Sequence, residues 1–272
     1  MTLDDSSVPE FLSWRSYQLF ANRVRSSNRF VWGIEVQAFL DTVVATINDR
    51  DEELDVGTVL FRSQRGIKVE EHFDSDGVFI RECTYGYDAS RMKPLADRAK
   101  EGRANPAGIP VLYLGTTVET VISEARPWVG TEVSVARCKV LKKLRTLDLS
   151  LGHGRSSFAG PMFGHVMNGT EPPAVEKRTA VWIDIDNAFS KPVTVTDDAA
   201  DYAPTQILAE LFRSLGYDAI AYKSQFGDED GYNIAVFDLS AVEITSCAPY
   251  RVESIKVVAH QFDNEWFSTP KN

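Results

Sequence analysis

Helix-like and strand-like stretches of this chain do not alternate, and this order is the strongest constraint on its fold. Apolar residues recur at helical spacing through most of the first fifty positions, most clearly between Val36 and Ile47. After a charged, turn-like stretch at residues 48–55, short apolar runs typical of strands begin. Segregated helices and strands favour an α+β fold over a doubly wound parallel sheet. We therefore predict a helical N-terminal extension over residues 1–53 and an α+β domain over residues 54–272.

Within the second region, most apolar runs are short enough to be strands. We predict a turn at residues 74–77 and an irregular loop or broken helix at 152–169. A short helix should begin at Thr116, which forms a capping-box pattern with Glu119, and end before Pro127. A second helix should start near Pro204 and stop at Gly216. The predicted strands are residues 58–62, 111–114, 132–140, 143–148, 181–185, 219–222, 234–237 and 242–245.

Composition excludes several classes of function. The formal net charge is −10, which argues against a nucleic-acid-binding surface but leaves room for a local anion site. The three cysteines contain no CxxC pair, and reduced thiols are typical of a cytoplasmic protein. The acidic N-terminus lacks the apolar core of a signal peptide, and no stretch reaches the ~18 apolar residues of a membrane span. We expect a cytoplasmic protein without membrane or nucleic-acid contacts.

Known catalytic and cofactor motifs are missing from the sequence. It has no P-loop, no GxSxG elbow and no dinucleotide-binding glycine fingerprint. The histidines lack metal-ligand spacing, so we expect no metal site. They are His72, His153, His165 and His260.

Three residues on successive short elements form the best candidate site. Arg103 lies in a Gly/Pro-rich loop, where a guanidinium can bind phosphate bidentately. Tyr113 lies on the next strand and could stack on a ring or contact a ribose. Glu124 ends the following helix, where a carboxylate could stabilise a developing sugar cation. The residues alone leave open a surface cation, a half-buried core tyrosine and a solvated carboxylate.

Two further polar residues end predicted strands. Ser224 follows the run at 219–222, and Arg62 ends the run at 58–62. Strand ends are common positions for binding residues. A turn-initiating serine and a surface arginine are the alternatives.

Three ordered blocks of this chain resemble the RES domain family, which is named for Arg, Glu and Ser residues. In the first block Tyr113 follows Arg103 by ten positions and Glu124 follows it by twenty-one, as in the family. The resemblance extends over about residues 56–245. The first block, at 102–127, contains a Gly-Arg-x-Asn-Pro-x-Gly loop, a Leu-Tyr-Leu strand and a helix with the Glu. The second block is the run 204–224, which ends in Ser224, and the third is the strand 233–237. Arg62 lies on the strand that precedes the first block.

The resemblance implies an ADP-ribosyltransferase-like fold with a split β-sheet, and an enzyme that degrades NAD as its substrate. The implied reaction cleaves the nicotinamide–ribose bond by phosphorolysis, with inorganic phosphate as co-substrate, and yields nicotinamide and ADP-ribose-1″-phosphate. Hydrolysis to ADP-ribose and transfer of ADP-ribose to a macromolecule are alternatives, and a non-catalytic nucleotide sensor is a third. The implied catalytic residues are Arg103, Tyr113, Glu124 and Ser224, and the implied substrate-binding residues are Arg62, Asn105 and Asn233.

The resemblance also implies a bacterial toxin that pairs with a cognate antitoxin protein. A homodimer is a further expectation. Two stretches depart from the smallest family members, namely the N-terminal extension and residues 149–181. Either stretch could replace or block the usual antitoxin contact.

Overall fold

The computed structural model describes residues 9–95, 98–158, 161–191, 199–226, 231–256, 259, 261 and 263–266. The predicted acidic start of the chain, Met1 to Asp5, and His260 lie outside these residues. None of the helices in the described part is long and apolar enough to cross a membrane.

Ten strands and six α-helices make up the described structure. The strands are β1 Asp51–Leu54, β2 Val59–Arg65, β3 Lys68–Phe73, β4 Phe79–Tyr85, β5 Leu112–Gly115, β6 Glu132–Val140, β7 Leu144–Asp148, β8 Ala219–Lys223, β9 Tyr232–Val236 and β10 Val242–Arg251. The helices are α1 Ser16–Ser26, α2 Ile34–Ala45, α3 Val118–Glu124, α4 Pro161–Met167, α5 Ala174–Ser190 and α6 Ala199–Ser214.

One eight-stranded sheet organises the fold, in the order β1-β7-β8-β9-β5-β2-β6-β10. Its pairs are antiparallel except for β7 and β8, which run parallel and are connected through α4, α5 and α6. The fold is therefore mixed α/β with a large, mostly antiparallel sheet. Strands β3 and β4 form a separate hairpin around the predicted turn at residues 74–77, where Gly77 has a φ of 78°.

The core lies on both faces of the sheet. On one face, α1, α2, α5 and α6 share a single apolar cluster with β7, β8 and β9, in which Phe189, Phe212 and Leu208 are fully buried. Strand alternation directs Leu60, Leu112 and other residues into a second cluster on the opposite face. Helix α3 packs through Val121 on β2 and β6 in a smaller cluster.

The N-terminal helices belong to this common core. Phe20 of α1 and Leu40 of α2 lie in the same cluster as α5 and α6. Residues 48–55 were predicted as a turn, which is wrong for Asp51–Leu54, because this segment is the edge strand β1 and pairs with β7. A domain boundary at residue 53 would cut this strand, so the division remains a prediction about sequence organisation.

The predicted strand at 181–185 is wrong. These residues lie in the middle of α5, where Val181, Ile185 and Phe189 are buried at intervals of four. A five-residue apolar run does not distinguish a strand from a buried helical turn.

Two helix starts also differ from the prediction. Helix α6 begins at Ala199, so Pro204 lies inside it and not in its first turn. The N-cap of α3 is Thr117, whose side chain accepts a hydrogen bond from Thr120 N at 3.0 Å. Thr116 instead pairs with the backbone of Tyr232.

Candidate active site

A cavity of about 360 Å³ lies beside the single-position pairing of β2 with β5, which we call the split. Strand β2 pairs with β5 at a single position, Phe61 with Gly115. Helix α3 packs against β2 and β6 on one side of this split, and α6 packs against the other half of the sheet. The cavity is lined by Arg65, Gly102, Arg103, Tyr113, Glu124, Ala125, Arg126, Tyr202, Tyr222 and Asn233.

The carboxylate of Glu124 is held by two donors from the other half of the sheet. Ser224 Oγ donates to Glu124 Oε1 at 2.7 Å, and Asn233 Nδ2 donates to the same oxygen at 2.6 Å. Among the described residues, no hydrogen bond reaches Oε2. One carboxylate oxygen is therefore fixed by protein donors, while the other is available to a ligand in the cavity.

Ser224 also determines the chain path beyond β8. Its Oγ accepts a hydrogen bond from Phe226 N at 3.1 Å and lies 2.6 Å from Phe226 O. A hydroxyl has one proton, so Glu124 and the Phe226 carbonyl compete for it. The charged acceptor forms the stronger bond. The structure thus places Ser224 as a positioning partner of Glu124.

Tyr113 is the centre of a buried hydrogen-bond network in the Arg103 loop. Its Oη donates to Asn105 Oδ1 at 2.6 Å and accepts from Ala104 N at 2.9 Å. Burial raises the pKa of Tyr113 well above its usual range, so the phenol stays protonated. A Cβ at Gly102 would lie 2.5 Å from this Oη, which explains the glycine before Arg103.

Asn105 is almost completely buried and lies behind Tyr113, away from the cavity wall. Its Nδ2 lies 2.7 Å from Ile109 O and 2.9 Å from Lys100 O. Gln206 of α6 donates to the carbonyls of Gly102 and Asn105, both at 3.0 Å. These bonds fix the loop that presents Arg103. The geometry gives Asn105 a positioning role and gives no support to direct substrate contact.

Arg103 reaches across the cavity wall to α5 and β8. Its Nη2 donates to Lys191 O at 2.8 Å, and its guanidinium charge acts on the nearby Tyr222 hydroxyl. Its buried Nε has no partner in the described part of the chain. Burial raises the pKa of Tyr222 to about 12, while Arg103 opposes this shift. Arg103 thus lines the cavity, but its Nε is buried and does not face a ligand there.

Arg62 lies in the split itself rather than on the cavity wall. Its Nη1 donates to the carbonyl of Tyr113 at 3.0 Å, which links β2 to β5 beyond their single paired position. Burial lowers the pKa of Arg62, and its Nε has no partner among the described residues. This arginine braces the strand that carries Tyr113.

Four further residues line the cavity without being predicted from the sequence, namely Arg65, Arg126, Tyr202 and Tyr222. Strand β2 continues three residues beyond its predicted end at Arg62, and alternation puts Arg65 on the face that meets α3. The extension of β2 past Arg62 is the sequence signal that could have identified Arg65 as a site residue. Tyr202 on α6 and Tyr222 on β8 meet at the cavity through tertiary packing, which no local pattern indicates.

The cavity combines one carboxylate with three guanidinium groups, those of Arg65, Arg103 and Arg126. The whole chain is acidic, so this local cation excess is a property of the cavity. Such a site is suited to an anionic ligand that also presents a developing positive charge to a carboxylate. No group of three or more His, Cys, Asp or Glu that could bind a metal occurs in the described part of the chain.

Comparison with known proteins places this site in a family. The sequence matches the RES domain over residues 80–257, well over half of the chain. The chain therefore belongs to the RES domain family, as its sequence predicts. No curated protein sequence matches it significantly.

Among solved structures, this chain is similar to a chain of the M. tuberculosis MbcT–MbcA toxin–antitoxin complex. The two chains are 13% identical and superpose with a TM-score of 0.39. The similarity covers 77% of this chain and 92% of the other.

Proposed function

We propose that this protein cleaves the nicotinamide–ribose bond of NAD by phosphorolysis. The observation that supports this most directly is the Glu124 carboxylate, fixed at one oxygen and open at the other, in a cavity with three arginines. Membership of the RES family supports NAD as the substrate. The cavity volume lies near the lower end of the roughly 300–1,000 Å³ of small-molecule sites, which suits the reacting half of a dinucleotide.

The reaction needs little covalent chemistry from the protein. When the C–N bond breaks, its electron pair moves to the pyridinium nitrogen, which becomes neutral, and ribose C1 becomes oxocarbenium-like. A phosphate oxygen then forms the new bond to C1. Glu124 Oε2 stabilises the ribose charge as it develops, and the neighbouring donors keep the carboxylate oriented. Because phosphate already carries a negative oxygen, the step requires no general base.

The remaining residues bind and orient the substrates. Arg103 lines the cavity, where its guanidinium can bind a phosphate group. Tyr113, protonated and braced by Asn105, offers an aromatic face to the nicotinamide side of the cavity. Asn233 and Ser224 act through Glu124, and Arg62 acts through the Tyr113 strand.

The split between β2 and β5 supports an ADP-ribosyltransferase-like arrangement, in which a substrate lies between two halves of a sheet. A toxin role with a cognate antitoxin is part of this proposal and rests on family membership. The proposal includes a cytoplasmic setting, which the three unpaired cysteines support.

The test is to incubate the purified protein with NAD, with and without inorganic phosphate, and to identify the products by mass spectrometry. Phosphate-dependent release of nicotinamide and ADP-ribose-1″-phosphate is the expected result. Free ADP-ribose in the presence of phosphate would replace phosphorolysis by hydrolysis. ADP-ribose retained on a macromolecule would indicate transfer, and intact NAD with folded protein would overturn the proposal.

A further inference from the structure

Arg126 adopts a backbone conformation that arginine rarely takes. Its φ is 45°. In the described part of the chain, one other non-glycine residue, Asp49, has a positive φ. The left-handed region places Cβ close to the neighbouring carbonyl oxygen and favours glycine. An arginine that adopts this conformation beside a cavity indicates a use for its side chain.

Arg65 braces this turn through the backbone. Its Nε and Nη2 donate to Ala125 O at 2.9 and 2.7 Å, and Nη2 also donates to Arg126 O at 2.7 Å. Arg126 N in turn donates to Ser123 O at 2.9 Å. The bonds from Arg65 satisfy two carbonyls just beyond α3 and restrain the direction in which the chain leaves the helix at Arg126.

The Arg126 side chain lies over the ring of Phe226, with its guanidinium carbon 5.3 Å from the ring centroid. The backbone of this same phenylalanine binds Ser224 Oγ, the partner of Glu124. Arg126 has no carboxylate partner among the described residues. Beside this cation–π contact, the guanidinium N–H groups have no hydrogen-bond partner among the described residues, so they can bind an oxyanion.

We propose that Arg126 binds a phosphoryl group of the reacting substrates and that Arg65 is its positioning residue. This inference rests on the proposed function and adds a second phosphoryl-binding position to it. Arg103 and Arg126 belong to different walls of the cavity, so they can bind separate phosphoryl groups. The two sources are the diphosphate of NAD and the inorganic phosphate that attacks ribose, and kinetics distinguishes them.

The kinetic test measures KM for NAD and KM for phosphate separately in Arg126→Gln. Loss of a charged hydrogen-bond donor should raise one of them roughly 10- to 100-fold. A rise for phosphate assigns Arg126 to the co-substrate, and a rise for NAD assigns it to the diphosphate. If both values match the wild type, the proposal is wrong. Arg178→Gln, an exposed arginine on α5 outside the cavity, is the matched control and should change neither.

Arg126→Gly separates binding from a structural role. Glycine relieves the positive φ, so the melting temperature should stay the same or rise while the same KM increases. A lower melting temperature with unchanged KM would mean that Arg126 only supports the fold. Arg65→Gln should raise the same KM. Arg65→Lys should raise it less, because an ammonium group can still donate to the carbonyls of Ala125 and Arg126.

A binding measurement separates this inference from the proposed reaction. Calorimetric titration with inorganic phosphate and with ADP-ribose needs no turnover. If NAD remains intact but Arg126→Gln weakens the binding of either ligand, the phosphoryl site stands and the proposed reaction fails. If wild-type protein binds neither ligand, or if Arg126→Gln binds both as tightly as wild type does, the phosphoryl site is refuted.

Discussion

Replacing Glu124 by glutamine removes its charge but retains its shape. Oε1 of the new side chain can still accept the hydrogen bonds that Ser224 and Asn233 donate, because both bonds end on that one oxygen. The amide replaces Oε2, which has no protein donor in the described structure. We therefore expect the free energy of unfolding to change by less than ~1 kcal/mol. The proposed reaction, in contrast, loses the negative charge of Glu124 that stabilises the developing charge on ribose.

The size of the catalytic effect follows from electrostatic stabilisation. Removal of one preorganised group that faces transition-state charge costs about 3–4 kcal/mol, or roughly 10²–10³ in rate. Glu124→Ala should show a similar loss of turnover and an additional loss of stability. Asn233 is 6% exposed, and its amide would lose an acceptor, which costs about 1–3 kcal/mol.

The assay combines NAD consumption at saturating NAD and phosphate with urea unfolding of wild type and both variants. Equal stability with a turnover loss of at least 10² in Glu124→Gln is the expected pattern. A Glu124→Gln enzyme that keeps turnover within a few-fold of wild type would refute the role of the charge. Unfolding of Glu124→Gln at much lower urea would instead refute the hydrogen-bond geometry.

Three further changes test the surrounding structure. Gly102→Ala should destabilise the protein by about 1–3 kcal/mol and lower turnover, because the new Cβ would lie 2.5 Å from Tyr113 Oη and disrupt its hydrogen bonds. Urea unfolding measures the stability, and NAD consumption measures the turnover. Arg50→Ala should cost about 3–5 kcal/mol in unfolding free energy, because it leaves the fully buried Asp186 carboxylate, 2.7 Å from Arg50 Nη1, without its ion pair. Asp238→Ala should be less stable than wild type at neutral pH, and this difference should disappear as pH falls from about 4 through about 2. Hydrogen bonds from Ser240 and the adjacent Lys142 lower the folded-state pKa of Asp238 to about 2, so its contribution is lost on protonation.

Each of these changes has a control or a contrary outcome. Gly164→Ala lies in helix α4 with nothing within 4 Å of the new Cβ, so it should be neutral or stabilising. Equal effects of the Gly102 and Gly164 variants would contradict the steric argument. An Arg50→Ala protein as stable as wild type would show that Asp186 is not held as a buried charge. A stability gap for Asp238→Ala that stays at its neutral-pH size below pH 2 would contradict the titration.

Local patterns predicted several elements closely. Strand β6 has the predicted bounds, and α3 ends within one residue of its predicted end. Such elements have alternating or capped sequences whose signals lie within a few residues. The prediction was wrong at 181–185, where a buried helix and a buried strand have the same apolar run, and at β1, whose charged sequence becomes a strand only through pairing with β7.

The sequence by itself determined the family and the chemical types at the site. Chain order alone gives the spacing of Arg103, Tyr113 and Glu124 and the position of Ser224 after them. The family match confirms the membership that this order predicted. Only the tertiary structure decided how these residues meet. Glu124 and its donors are about one hundred positions apart, and the left-handed turn at Arg126 is braced by Arg65 of the distant strand β2. Contacts of this range arise from sheet pairing and helix packing, which no local pattern encodes.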